Sequence, residues 1–301
     1  MNFCIAGGRG FIGKILRENF SQMGSKVLIL SRRLGSFYSF SQNEFCILWD
    51  GKKLSPEILK ETDVFINLAG ETIYGRLNKK KKEKIYKSRI NSTRAIVNSI
   101  LNSKNYPKYF FQASAIGIYK ESENEINENS PYDNDFLANV VKDWENEVMP
   151  LKDLPIKLFI MRFGVVLGKG GGIFKNMDKL FKFGIGAIPG KGDYHISWIY
   201  KKDLADAFMF LLENGKGGVY NFTSPKPIKG KDFFKEWGIA HKKWVFLHIP
   251  FLFLKLIYGK EIKEIIGKNL KVSPKALLSE NFNFSYLDVK KVFEELTLKS
   301  K

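Results

Sequence analysis

The stretch NFCIAGGRGFIGKILRENF, Asn2 to Phe20, decides the fold. It opens with a short apolar run, NFCIA. Glycines follow at Gly7, Gly10 and Gly13, and then Ile12, Leu16 and Phe20 recur at helical spacing until Gly24 stops the pattern. Strand, glycine-rich turn and helix in that order make a phosphate cradle. Glycine takes positive φ at little steric cost, and a missing Cβ lets the backbone approach a pyrophosphate closely. The third glycine lets the helix pack on the strand, and the helix N-terminus attracts the anion. Three spaced glycines alone are a weak signal; the flanking strand and helix supply the context the motif requires. Phe11 and Ile12, at the start of the helix, are expected beside the same ligand.

Outward from this unit the alternation continues. KVLILSR reads as a second strand, continuous and apolar as in a parallel sheet buried on both faces. FCILWD and DVFINLAG are the third and fourth, KYFFQASAIGIY the fifth and KLFIMRFGVVLG the sixth. The run KKEKIYKSRINSTRAIVNSILNS is a long helix between the fourth and fifth. Strand–helix alternation with right-handed crossovers predicts an α/β fold, a Rossmann-type doubly wound parallel sheet with a smaller C-terminal substrate lobe. The expected division is 1–167 with 197–223 for the nucleotide-binding part, and 168–196 with 224–301 for the lobe. WVFLHIPFLFLKLIYG, Trp244 to Gly259, is interrupted by His248, Pro250 and Lys255. It is too short to span a bilayer and is expected to be a strand end followed by a buried helix.

The chain has 301 residues, 49 Lys and Arg against 31 Asp and Glu, and a net charge of +18. Such a charge suits nucleic acid or other anions as partners. It is spread along the chain rather than blocked, so nucleic acid is not the expected partner, and no membrane partner is expected either. NKKKKEK, Asn78 to Lys84, reads as the solvated start of a helix. Cys4 and Cys46 lie in apolar runs without metal-binding spacing, so no metal is expected and the thiols suit a reducing, cytoplasmic setting. The first strand begins almost at Met1, so no leader is expected ahead of it. Monomer and homodimer both remain open.

The second strand ends in Ser31, Arg32 and Arg33. A carboxylate here would bind the 2′-hydroxyl of NAD and repel a 2′-phosphate, whereas a guanidinium pairs with that phosphate in a fork. The expected cofactor is therefore NADP(H).

With these glycines, SRR, FINLAGETI, SRINSTRAIV, ASAIGIY, RFGVVLGKGGG, SWIYKKDL and GVYNFTSPKP, the chain resembles the extended short-chain dehydrogenase/reductases. More narrowly it is similar to their atypical epimerase-family branch, from Asn2 to about Phe293, including VSPKALLSENFNFSYLDVKKVF as that branch's small C-terminal domain. The resemblance implies further cofactor contacts: Leu68 and Ala69 on the adenine and ribose side, Arg89 at the phosphates and Val165 near the nicotinamide. It also implies a Ser, Tyr and Lys set, with Tyr and Lys one helical turn apart. Here those two positions hold Phe136 and Val140, which carry no proton and no charge; Ser114 stands at the serine position. Tyr119 and Glu71 are the candidate replacement acids, and His195 is the histidine nearest the expected site.

Three readings follow. The chain is an NADP(H)-dependent oxidoreductase- or epimerase-like enzyme on an unidentified small molecule with an atypical acid, or a protein that holds NADPH without turnover, or a nucleic-acid-binding protein.

Overall fold

The computed structural model describes residues 1–32, 42–172, 186–245 and 247–298. The first half alternates as the apolar runs demand. β1 (Asn2–Ala6), α1 (Phe11–Gln22), β2 (Lys26–Ser31) and β3 (Glu44–Leu48) come first. The short α2 (Pro56–Lys60), β4 (Val64–Asn67), the long α3 (Lys79–Leu101) and β5 (Tyr109–Ala115) follow. Then come α4 (Phe136–Asn146), β6 (Lys157–Phe163) and β7 (Val165–Leu167). Asn78 caps α3 by accepting the Lys81 N–H, and Asp135 caps α4 by accepting the Ala138 N–H.

The second half holds the short strands β8 (Ala187–Pro189), β9 (His195–Ile196) and β10 (Trp198–Tyr200), then α5 (Lys201–Asn214) and β11 (Gly218–Phe222). After it come β12 (Ile228–Lys229), α6 (Gly230–Ala240), β13 (Leu247–Ile249), α7 (Phe251–Tyr258), α8 (Lys275–Ser279) and α9 (Val289–Leu298).

Seven strands form the central sheet in the order β11, β6, β5, β4, β1, β2, β3, and each neighbouring pair is parallel. Side chains alternate across it as the strand period requires. Phe3 and Ile5 pack with Phe20, Phe111 and Phe208 on one face, toward α1 and α5. Cys4 and Ala6 pack with Phe65, Ile96 and Ile100 on the other, toward α3. Both faces are covered, so the doubly wound Rossmann-type expectation holds.

The expected sixth strand breaks in two at Gly164. A Cβ there would lie 2.6 Å from the Ser197 carbonyl oxygen, and this close approach redirects the chain. β6 stays in the main sheet, while β7 leaves it to pair with β10. A separate apolar cluster joins β7 and β10 to α6 and α9 through Leu167, Trp198, Phe233, Trp237 and Phe293.

The expectation of a buried helix before Gly259 is corrected. α7 buries Leu254 but leaves Leu252 and Leu256 each 70% exposed and Phe253 57% exposed. Among the described residues no helix is long and apolar enough to cross a membrane.

Candidate active site

Strand order reverses between β1 and β4, and the turns that follow these two strands open a crevice at the sheet's C-terminal edge. A cleft of about 530 Å³ lies there. Gly7, Gly10, Phe11, Ile12 and Gly13 line it from the first turn and helix. Leu68 and Arg89 line it from the loop after β4 and from α3, and Ser114 and Val165 from β5 and β7. Nine of the expected positions therefore converge on one space.

The three glycines do different work. Gly7 has φ +81°, and a Cβ on it would stand 2.6 Å from the Leu68 oxygen. At Gly13 a Cβ would meet the Gly8 Cα at 2.6 Å, so this glycine allows α1 to pack on the turn. Gly10 has φ −71°, so it does not need positive φ. Its N–H donates to the Gly7 oxygen, and a Cβ there would meet nothing but that oxygen, at 3.2 Å, among the described residues. Gly10 also caps α1 without a side chain, which leaves the helix N-terminus open toward the cleft. These features fit a dinucleotide pyrophosphate.

Other expected residues stand outside the cleft lining. Ala69 holds the loop after β4 through its N–H, which donates to Asn67 Oδ1 at 3.2 Å. Ser31 is buried and Arg32 exposed at the end of β2; Arg33 lies outside the described residues. Arg9, within the glycine turn, donates from Nη1 to Ser31 Oγ at 3.3 Å. Two guanidinium side chains therefore come from the turn and the strand end around Ser31. No sequence signal marks Arg9, because it stands at a position that the spacing of the glycines leaves unspecified.

Arg89 is the best-defined cation of the cleft. Its Nη1 donates to the backbone oxygens of Glu71 and Ile85 at 3.0 and 3.2 Å, and its guanidinium carbon lies 5.0 Å from the Trp144 ring centre. Burial brings its pKa down to about 10, against the attraction of Glu71, so it stays charged at neutral pH.

The two candidate acids do not face this space. The Tyr119 ring is fully buried; its hydroxyl donates to Asn221 Oδ1 at 2.7 Å and accepts from Arg162 Nη1 at 2.8 Å. Burial pushes its pKa up to about 12. With donor and acceptor both committed away from the cleft, the position of Tyr119 speaks against a role as proton donor. Glu71 accepts from Lys81 Nζ at 2.8 Å, and that hydrogen bond lowers its pKa. Such a carboxylate holds a loop rather than a proton.

Ser114 lines the cleft but donates its hydroxyl to Glu145. Glu145 is clamped in turn by Arg162, whose Nε and Nη2 reach its two oxygens, each at 2.8 Å. Burial works against the Arg162 charge, and Glu145 more than offsets it, so the guanidinium pKa is raised. The sequence signal for this pair is Arg162 inside the apolar run LFIMRFGVV, since a charge within a buried strand demands a partner.

At the start of α4, Phe136 packs with Ile85 and Val140, and Val140 itself lines the cleft. A carboxyl group reaches this corner from elsewhere in the chain. Glu264, on a short π-turn at Lys263–Gly267, lines the cleft and accepts the Leu137 N–H at 3.2 Å, one residue from Phe136. Burial raises its pKa, helped by Asp135 and Glu261 and opposed by the Leu137 N–H and Lys268. Glu264 lies far from the glycine motif in the chain, so only the tertiary fold reveals it.

His195 also lines the cleft. Asn269 Nδ2 donates to Ser122 and Glu123, which makes Asn269 Oδ1 the acceptor; the His195 Nδ1–H donates to it at 2.9 Å. Nε2 is thereby left as an acceptor. Among the described residues no cluster of His, Cys, Asp and Glu could hold a metal ion.

The model of the NAD dependent epimerase/dehydratase family matches residues 3–222. Epimerase family protein YfhF of Bacillus subtilis (strain 168) is 35% identical over 300 residues, 98% of each chain. Epimerase family protein SAR0825 of Staphylococcus aureus (strain MRSA252) is 30% identical and covers 99% of each. The crystal structure of human epimerase family protein SDR39U1 (isoform2) with NADPH superposes with a TM-score of 0.87 at 27% identity, covering 99% of each chain. A UDP-N-acetylglucosamine 4-epimerase from Methanobrevibacter ruminantium M1 shares the fold, with a TM-score of 0.80 at 17% identity over 99% of this chain and 97% of the other. A family model that spans most of the chain and relatives alike from end to end agree with the glycine turn and the sheet it serves: the chain belongs to the NAD dependent epimerase/dehydratase family.

Proposed function

We propose that this chain is an NADP(H)-binding oxidoreductase- or epimerase-like enzyme acting on a small carbonyl or sugar-like molecule, with Glu264 in place of the missing tyrosine. The observation that carries this reading is one cleft that joins the glycine turn to a half-buried carboxyl group, Glu264, whose pKa burial raises. The NADPH in the human relative's structure supports the choice of cofactor, as do Arg9 and Arg32 and the absence of an acidic residue at the end of β2.

The bound dinucleotide supplies or accepts hydride. The protein's residues do the remaining work. The open N-terminus of α1 takes the pyrophosphate, and Arg89 adds a fixed positive charge. Arg9 and Arg32 pair with the 2′-phosphate. Leu137, Val140 and Ile265 give the corner beside Glu264 an apolar lining that keeps water out. In the reducing direction Glu264 gives its proton to the substrate oxygen; in the oxidising direction its carboxylate takes that proton back.

A second reading, a protein that holds NADPH without turnover, is favoured by one observation. Phe136 and Val140 carry no proton, and the Ser114 hydroxyl is committed to Glu145. Fluorescence titration with NADPH and NADH, followed by a screen of carbonyl compounds and nucleotide sugars for NADPH consumption, separates the two. Consumption that Glu264→Gln abolishes, with NADPH affinity kept, supports the enzyme. Tight NADPH binding without consumption supports the holder. Preference for NADH overturns the cofactor assignment.

A further inference from the structure

The exposed side chains around α7 have no role in the cleft and point to a partner of their own. Leu252 and Leu256 lie one helical turn apart, with Phe253 beside them, and all three are exposed. The opposite side of α7 packs on the body: Leu254 is buried, and the Phe251 ring lies against Gly190 and Gly267. Just before the helix, Trp244 is 89% exposed and Leu247 is 51% exposed. One turn, one short strand and one helix thus present five large apolar side chains to solvent.

Their charge setting narrows what covers them. From His241 to Lys260 the chain has no Asp or Glu. Lys242, Lys243, Lys255 and Lys260 are all exposed, and none makes an ion pair with a carboxylate among the described residues. A second copy docked face to face would set these lysines against their own counterparts, because a two-fold contact uses the same patch on both sides. An anionic lipid surface has no such conflict. Its headgroups meet the ammonium groups, and its acyl boundary accepts Leu, Phe and Trp side chains. A helix of eight residues is too short to span a bilayer but long enough to lie in its interface.

We infer that this chain docks peripherally on an anionic lipid surface through the Trp244 turn and the exposed face of α7. This partner was not expected from the sequence, where the same run reads as buried. The inference does not depend on the proposed reaction.

Sedimentation with vesicles tests it. The wild-type chain is expected to sediment with mixed phosphatidylcholine and phosphatidylglycerol vesicles about 10-fold more strongly than with phosphatidylcholine alone, and to be released by salt. The triple variant Leu252→Ser, Phe253→Ser and Leu256→Ser is expected to lose about 10-fold or more of that binding. Replacing Lys242, Lys243, Lys255 and Lys260 by Gln should have a comparable effect. All seven positions are exposed, and circular dichroism checks that each variant stays folded. A wild-type chain that stays in the supernatant with anionic vesicles overturns the inference. So does vesicle binding that the serine variant leaves unchanged. Ultracentrifugation showing a wild-type dimer that the serine variant dissolves assigns this face to a second copy instead.

Discussion

In the proposed reaction Glu264, distant in sequence, would take over the position of the missing tyrosine. A tyrosine at position 136 would have presented its hydroxyl from the first turn of α4. Phe136 cannot, and Glu264 reaches the same turn from the π-turn at Lys263–Gly267. Its raised pKa fixes the sign of the expected pH dependence. Reduction needs the protonated acid, so kcat for carbonyl reduction should fall as pH rises through the raised value. Oxidation needs the carboxylate and should rise over the same range. Glu264→Gln should flatten both limbs and lower turnover about 10²–10⁴-fold, the usual scale for general acid–base help. NADPH affinity should stay within a few-fold. Stopped-flow or steady-state kcat against pH checks this, and an unaltered pH limb in Glu264→Gln moves the proton to another group, with His195 the next candidate. The arginines near Ser31 carry a separate expectation. Arg9→Ala combined with Arg32→Ala should weaken NADPH binding by roughly 10- to 100-fold, a range discounted for exposed side chains, and leave NADH binding nearly unchanged. Calorimetric titration with both cofactors measures it; equal losses for NADPH and NADH place these side chains against a part of the ligand that both share.

At the scale of an element, the turn between β1 and α1 separates what the fold needs from what the ligand needs. Gly7→Ala forces a Cβ into the Leu68 carbonyl at positive φ. Its expected cost is about 1–3 kcal/mol of stability together with lost cofactor binding. Gly10→Ala has ordinary φ, and its Cβ would press only on the Gly7 oxygen, at 3.2 Å, so the melting temperature should fall less than for Gly7→Ala. The methyl group would still occupy the space that the pyrophosphate approaches, so NADPH binding should drop sharply. Thermal melts and titrations on the two variants read these effects independently. The same turn was the most legible part of the sequence, because strand, glycines and helix are all local signals. The apolar runs of β1, β2, β4 and β5 were legible for the same reason. Three features were not. The break at Gly164 depends on Ser197, more than thirty residues away. The commitment of Tyr119 to Asn221 and Arg162 is tertiary. The exposure of α7 was misread because an apolar run has the same composition whether it faces a core or a partner.

At the scale of the whole molecule, residues 268–273 form the seam between the loops that follow β5 and the segment around β9. Lys268 Nζ bonds Asp133 at 2.8 Å, Asp135 at 2.5 Å and the Gly117 oxygen at 3.4 Å. Ser197 Oγ donates to the Leu270 oxygen and accepts the Val272 N–H, and Ile126 pairs with Val272. Burial opposes charge on both Asp133 and Lys268, but their hydrogen bonds win: the Asp133 pKa is lowered and the Lys268 pKa is raised. A carboxylate depressed in the folded state contributes stability above its unfolded pKa, near 3.9, and loses it as pH falls through the folded value. A lysine raised in the folded state contributes below its unfolded pKa, near 10.4, and loses it as pH climbs through the folded value. The seam is therefore strongest between about pH 4 and pH 10. Lys268→Met should cost about 1–3 kcal/mol in that window, since it leaves two partly buried carboxylates without their cation. In a protein of this size that is a fall of several degrees in melting temperature. The gap to wild type should begin to narrow below about pH 4 and close only as pH falls through the depressed folded value of Asp133. Melts between pH 3 and pH 8 check this on the scale of the carboxylate titration; a gap that does not vary with pH shows that Lys268 acts by packing rather than charge. The same variant links seam to site. Lys268 lowers the Glu264 pKa, so removing its charge should shift the descending limb of carbonyl reduction to higher pH, an effect that a purely structural lysine would not produce.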